Sequence, residues 1–517
     1  MKPITKIVSM KLANCFIAAT LLFALCSKTA DAGSTKKERH LYVSHFENVL
    51  GTSMDLKIAA ASEDNASLAE TAAKNEIGRL GSILSAYDPS SEFSAWLKTS
   101  GQPVHVSPEL FEVLNLFDEW RISTNGALDA SAEVVTKLWK ASAAKNRVPT
   151  QEELNEAVAG VKQQHWKLDP VAHTATHLSN APLMLNSFAK SYIIKHAAAA
   201  AMALNGVKAI VVNIGGDLVV SGNMVEPVAI SDPKDNAENS APIDNLLIGN
   251  KAVATSGNYR RGEMIGGHWY SHIVDPRTGQ PSDNIISATV VAPNATDAGA
   301  LATAFNVLSP AESVMLAAGY PGIEYLIITK EGQRIESKGW AALKAPAIKQ
   351  PQPAKDVYNG AGNRSDAYEL VVNLEINLQQ QSFAKRPYVA VWIEDENHAP
   401  VRTIALWHER DKYLDELKSW FLKYRGRYSS DQSFLGASVS SATRSAGKYT
   451  VKWDGKDDNG NVVKPGTYTI KIEAAREHGT YQLMRQVVEC NTTPQQFNLP
   501  GNVEIASASV EYRKKSE

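Results

Sequence analysis

Ser271-His272-Ile273-Val274-Asp275-Pro276-Arg277-Thr278-Gly279-Gln280-Pro281 is the stretch that decides the fold, read together with Ala254-Thr255-Ser256-Gly257-Asn258-Tyr259 a short way upstream. A strand-like Tyr270–Val274 delivers a histidine. Asp-Pro, Thr-Gly and Pro281 then force a tight turn, because proline fixes φ and glycine accepts positive φ. Such a turn holds polar side chains in fixed places. A histidine beside apolar residues is by itself most often structural, but two polar segments in tandem call for more than a turn.

Working outward, the chain has 517 residues, which favours two folded units with accessories over a single core. Hydrophobic content of 44% and charged content of 21% fit a soluble globular protein. Lys and Arg total 53 against 55 Asp and Glu, a formal net charge of -2, so there is no electrostatic footprint for nucleic acid or an anionic membrane surface. Lys2, Lys6 and Lys11 precede an apolar run from Leu12 to Cys26, and Ala30-Asp31-Ala32 supplies a small-x-small cleavage site. Residues 1–32 therefore read as a cleaved export signal and predict a periplasmic mature chain, with association with the inner membrane left open. The run is short for a spanning helix. Removal of Cys15 and Cys26 leaves Cys490 alone, so neither an intramolecular disulfide nor a cysteine metal site is expected.

Further segments follow in chain order. Leu50-Gly51-Thr52-Ser53 opens an alternating, strand-like run to Ile58. From Ala66 to Leu84, Leu68, Ala72, Ile77, Leu80 and Leu84 recur at helical spacing, closed by Tyr87-Asp88-Pro89-Ser90-Ser91. Asn125-Gly126-Ala127-Leu128-Asp129-Ala130-Ser131 precedes a helix that Asp129 or Ser131 can cap. Ala189-Lys190-Ser191-Tyr192 runs into an alanine-rich helix through Leu204. Gly215-Gly216-Asp217 joins two apolar strands as a hairpin turn would. Ala292 to Ala304 opens a helix on which Asp297 is the expected N-cap, with metal binding as its other reading.

Together these segments resemble the ApbE family, the FAD:protein FMN transferases, over roughly residues 41–335. The resemblance implies an α+β fold with a flavin-binding first domain at residues 40–340. It implies FAD as substrate, a client protein whose Thr or Ser receives FMN as AMP leaves, and Mg2+ on the diphosphate. By resemblance His272 is catalytic, and Thr52, Tyr87, Asp88, Ser91, Ala127, Leu128, Asp129, Lys190, Gly215, Gly216, Asp217, Thr255, Ser256, Gly257 and Asp275 line the flavin site. Thr303, Asp297 and the Ile193 backbone are the implied metal ligands.

The chain departs from the family pattern in several places. Leu50 and Leu128 replace a methionine and an aromatic, Ser191 a glycine, and Met184, Lys195 and Gly299 aspartates. Asp297 lies about 200° around an ideal helix from position 299 and replaces the missing aspartate only if the helix begins later. On this reading, restoring Asp at Gly299 raises activity. The alternative is a flavin-binding protein without the transfer, in which Lys195 supplies part of the missing positive charge.

Residues 341–365 read as a Pro-rich linker. Beyond it, Glu369–Leu378, Pro387–Ile393, Thr403–His408, Tyr449–Trp453, Tyr468–Ile472 and Arg485–Val488 have strand character. Residues 366–517 resemble FlgD-type immunoglobulin-like repeats and an uncharacterised periplasmic domain attached to ApbE-like chains, which implies an all-β immunoglobulin-like sandwich, with partner docking as its open role. Lys412–Lys423 is the expected helical interruption, packing through Leu414, Leu417 and Phe421. The acidic turn Asp454–Asp458 lacks the spacing of a calcium loop and reads as a solvated hairpin turn.

Overall fold

The computed structural model describes residues 40–346 and 368–515, apart from residues 236, 241, 260, 378–385, 409–410, 431–439, 442, 445 and 477–478. The expected export signal and most of the expected linker lie outside the described residues.

Eight strands, β1 (His40–Val49), β2 (Thr52–Ala60), β3 (Val207–Ile214), β4 (Asp217–Gly222), β5 (Ala252–Gly257), β6 (Ile285–Ala292), β7 (Glu324–Thr329) and β8 (Arg334–Glu336), lie side by side in chain order in one sheet. From β2 to β8 every pairing is antiparallel. The strands are apolar on both faces, and the two-residue period sorts their side chains into two cores. Ile210, Val212, Ala252, Ala254, Ala288 and Val290 face three helices, α1 (Glu63–Leu84), α2 (Ala189–Met202) and α3 (Ala295–Val307). Val211, Val253, Val291 and Leu326 face the hairpin of Glu226–Ile230 with Asp244–Ile248.

Trp340, fully buried in that second core, sits on a short helix Trp340–Leu343, and the Ala345 N–H donates to the Asn245 carbonyl at 2.7 Å. The first domain therefore runs past residue 340, where the sequence reading placed the linker.

Two local expectations change. The strand read over Tyr270–Val274 is broken: His268–Ser271 pairs with Gly262–Ile265, Val274–Asp275 pairs with Gln280–Pro281, and His272 and Ile273 lie between. Helix α3 begins at Ala295, and its cap is Asn294, whose side chain accepts from the Thr296 N–H at 3.0 Å. Asp297 is thus inside the first turn and not the cap.

The second domain is a two-sheet sandwich. Strands β9 (Tyr368–Ile376), β10 (Tyr388–Glu394), β11 (Pro400–Trp407), β12 (Gly447–Trp453), β13 (Gly466–Ala475), β14 (Tyr481–Cys490), β15 (Gln495–Pro500) and β16 (Ile505–Lys514) form the sheets β12-β9-β16-β15 and β11-β10-β13-β14, the latter extended by Ser440–Ser441. Their alternating inward residues, Val372, Val391, Trp453, Ile470 and Tyr512 among them, make one core that includes the buried Cys490.

The helical interruption is a 3-10 turn Asp411–Glu416 followed by α4 (Lys418–Ser430). Leu414, Leu417, Trp420 and Tyr424 pack it on the outer face of the second sheet. The buried Glu473 carboxylate accepts from the Ser419 and Trp420 N–H groups, both at 2.8 Å, satisfying donors that a helix start leaves open.

The edge strand β12 is covered by a first-domain loop. Asn239 donates its side-chain amide to the Lys452 carbonyl at 2.6 Å and accepts from the Lys452 N–H at 2.8 Å, as a neighbouring strand would. Glu238 N–H donates to the Thr450 carbonyl at 2.7 Å, and Lys452 pairs with Asp235 at 2.9 Å.

Candidate functional site

The β3–β4 turn is Gly215-Gly216, with φ of +58° and +93°, the left-handed pair that a two-residue hairpin requires. Gly215 is needed for a second reason: a Cβ there would lie 2.7 Å from the Thr52 side chain. Asp217, the first residue of β4, reaches α2, where Lys190 Nζ lies 2.9 Å and Ser191 Oγ 3.5 Å from its carboxylate. The fold thus brings Thr52, Lys190, Gly215, Gly216 and Asp217 together from three separate segments. The cap residue of α2, Phe188, makes no side-chain cap hydrogen bond. An uncapped helix start beside a lysine is a favourable place for an anion.

Asn186, which leads into α2, was not among the expected site residues. Its amide donates to the Tyr87 hydroxyl at 2.7 Å and ties the turn after α1 to this cluster, while the Tyr87 ring stays 74% exposed. Its place within the Leu183–Tyr192 motif was the available signal, but the partner was not.

His272 lies between the pairing of Gly262–Ile265 with His268–Ser271 and that of Val274–Asp275 with Gln280–Pro281. Its Nδ1 is 3.0 Å from the Arg261 carbonyl, and since a carbonyl only accepts, Nδ1 carries the proton and Nε2 is left with a lone pair. Although the residue is exposed by area, desolvation of the ring holds its pKa below the usual imidazole value. The Arg261 charge acts in the same direction, and the carbonyl hydrogen bond opposes both. The product is a neutral imidazole with an open acceptor nitrogen. The Arg261 hydrogen bond had no signal in the sequence because it comes from the backbone carbonyl.

Several expected site residues are committed to the fold itself. Ser91 is fully buried, caps the short helix Glu92–Trp96 and donates to the Ser85 carbonyl at 2.5 Å. Asp88 folds onto the Ser90 N–H and hydroxyl. Asp129, offered with Ser131 as a helix cap, caps a 3-10 turn Ala130–Ala132 ahead of the helix Glu133–Ala143, whose own cap Ala132 makes no side-chain bond: Asp129 accepts from the Ser131 N–H at 2.8 Å and hydroxyl at 2.7 Å, and Arg121 Nε lies 2.9 Å from its other oxygen without hydrogen-bond alignment. Ala127 and Leu128 are buried in the helix-side core. Asp275 grips the Arg277 backbone N–H and guanidinium at 2.9 Å, and Arg277 continues to Glu312 at 3.0 Å. In β5, Thr255 shares a 3.0 Å hydrogen bond with Thr289, and the Ser256 carbonyl accepts from Asn306 at 2.7 Å. A Cβ on Gly257 would lie 2.6 Å from the Tyr259 ring.

Two of the implied metal ligands, Thr303 and the Ile193 carbonyl, are already engaged by the fold. Thr303 donates its hydroxyl to the Ser187 carbonyl at 3.0 Å. Asp297, inside the helix, is turned about 200° from position 299. Burial raises its carboxyl pKa, against the pull of Lys195. Ile193 is buried within α2, where a carbonyl is directed to the residue four positions on. At position 299 itself, a Cβ would stand 2.4 Å from Ser191 Oγ and 2.9 Å from its Cβ. Among the described residues there is no group of three or more His, Cys, Asp or Glu able to hold a metal ion. Divalent cations of the Mg2+ type are held by clustered hard oxygen donors, usually carboxylates, and the donor set here does not fit one.

Residues 50–327 match the ApbE family, and residues 369–507 match a family described as a predicted periplasmic protein, DUF2271. The chain is 28% identical over 268 residues to the FAD:protein FMN transferase of Escherichia coli K12, covering 50% of this chain and 72% of that one. It is 28% identical over 318 residues to the FAD:protein FMN transferase of Vibrio cholerae, covering 60% of this chain and 93% of the relative. Among solved structures, the ApbE protein of Thermotoga maritima superposes with a TM-score of 0.54 at 25% identity, over 59% of this chain and all of that one. With the matched residues covering β2 to β6, most of β7, the three helices and every candidate site residue, the chain belongs to the ApbE family.

Proposed function

We propose that the chain is an FAD:protein FMN transferase. A Thr or Ser hydroxyl of a client protein attacks the FAD phosphorus next to FMN; the new bond joins client oxygen to phosphorus, the bridging P–O bond breaks, and AMP leaves. The observation that carries the reading is His272. Its fixed tautomer leaves Nε2 unprotonated, and its lowered pKa keeps the ring neutral at pH 7, ready to take the hydroxyl proton. Beside it the hairpin Gly262–Ile265 with His268–Ser271 exposes Met264 and Trp269, apolar surface suited to a client segment. Lys190 and the start of α2, which no side chain caps, suit the diphosphate, and the exposed Tyr87 suits an aromatic face of the nucleotide. The expectation of Mg2+ finds no support in the donor set, and no step is assigned to it.

A periplasmic location is part of the proposal. It is supported by the signal-like N-terminus and the description of the DUF2271 match. Among the described residues no helix is long and apolar enough to cross a membrane. The sandwich is proposed as a docking module for the client or its carrier. The test is to incubate residues 33–517 with FAD and a periplasmic client bearing a flavinylation motif, following AMP release and covalent flavin fluorescence. Both signals together are expected. Tight FAD binding with neither signal would replace the transferase by a flavin-binding protein, the second reading, which the rebuilt contact between Ser191 and Gly299 favours.

A further inference from the structure

Three departures that are scattered in the sequence, Ser191, Lys195 and Gly299, meet at one seam between α2 and α3. Ser191, buried at 3% exposure, fills the space that a side chain at 299 would need, so serine and glycine are a matched pair. Glycine at one helix and a larger residue at the other would fill the same seam in reverse. One turn further along α2, four residues from Ser191 and on the same helical face, stands Lys195. Lys190 is ion-paired with Asp217 at 2.9 Å. That pair leaves the Asp217 carboxylate already balanced at the start of α2.

We propose that this chain binds its flavin nucleotide without a divalent cation, the Ser191–Gly299 contact closing the place where a metal-binding carboxylate would stand and Lys195 supplying a fixed positive charge to the diphosphate. A covalently attached ammonium differs from a bound cation in one way that can be measured: it is not removed by a chelator. The proposal rests on the FAD reading above, and the two fail differently.

The experiment is equilibrium FAD binding by residues 33–517, without client, in EDTA and in millimolar Mg2+. Affinity within about twofold in the two buffers is expected, with Lys195→Ala weakening binding about tenfold in both and Lys195→Arg retaining it. The paired variant Ser191→Gly/Gly299→Asp, which opens the seam before adding the carboxylate, is expected to gain a Mg2+ dependence that the parent lacks. A tenfold or greater loss of parent affinity in EDTA, restored by Mg2+, overturns the proposal and leaves the FAD reading intact. Unchanged binding by a folded Lys195→Ala protein, judged by circular dichroism, overturns the role of Lys195. No FAD binding in either buffer overturns the FAD reading and this inference with it.

Discussion

The His272 turn and the α2–α3 seam lie in one domain and have been treated differently. At the turn, the motif residues hold one another: Asp275 fixes Arg277, Trp139 Nε1 donates to the Gly279 carbonyl at 2.8 Å, and Arg261 fixes the His272 tautomer. At the seam, the departures Ser191 and Gly299 pack against each other, and Thr303, an implied metal ligand, donates to a backbone carbonyl. A turn whose side chains and carbonyls are tied to each other changes only as a whole, because replacing one partner leaves the other unsatisfied. A helix seam is constrained mainly by volume, so a gain on one helix can be balanced by a loss on the other.

The largest effect expected from breaking this comparison is at the turn. His272→Asn should lower transfer by about 100-fold to 10,000-fold, the usual range for losing a general base, while FAD affinity in equilibrium dialysis stays near the parent value. An equal loss of both would move His272 from chemistry to binding. A smaller but decisive effect belongs to the seam. Gly299→Asp alone is expected to destabilise the fold by about 1–3 kcal/mol through overpacking, with Ser191→Gly recovering most of it in urea denaturation. This reverses the expectation drawn from the sequence, that the single aspartate restores activity. Additive losses in the double variant would show that the two positions are independent.

The pH profile sharpens the comparison further. A base must be unprotonated, and His272 has its pKa lowered, so kcat should hold through pH 7 and decline only on an acid limb centred below the ordinary imidazole value of about 6.5. In His272→Asn that limb should vanish, whereas Lys195→Ala should keep it. The smallest effect lies outside the site. Asn239→Ala removes both hydrogen bonds to Lys452 and should cost about 1 kcal/mol at the domain junction, seen as faster proteolysis between the two domains with unchanged FAD affinity.

Much of the fold was legible because its signals are local. Proline and glycine in Asp275–Pro281, the Gly215-Gly216 pair and the alternating strands report backbone geometry directly, and the six sandwich strands read from the sequence all occur. Gln495–Pro500 and Ile505–Lys514 went unread, although the second pairs with β9 along nearly its whole length. Their mixed polar pattern makes sense only once one face is known to be buried. The candidate site was legible as a set of motifs and not as a set of roles. Asp129, Ser91 and Asp275 carry the residue types of a binding site, but hydrogen-bond partners nearby in the chain already occupy them.

The sequence by itself determined most of the local conformations and the family, since both depend largely on residue types within a few positions of one another. Only the tertiary structure decided that Ser191 answers Gly299, that Asn186 reaches Tyr87, and that the Arg261 carbonyl sets the His272 proton. Each of these joins residues distant in the chain through a close packed contact or a hydrogen bond. Such contacts are fixed by how helices, sheet and turns stack in three dimensions, a relation that no local pattern encodes.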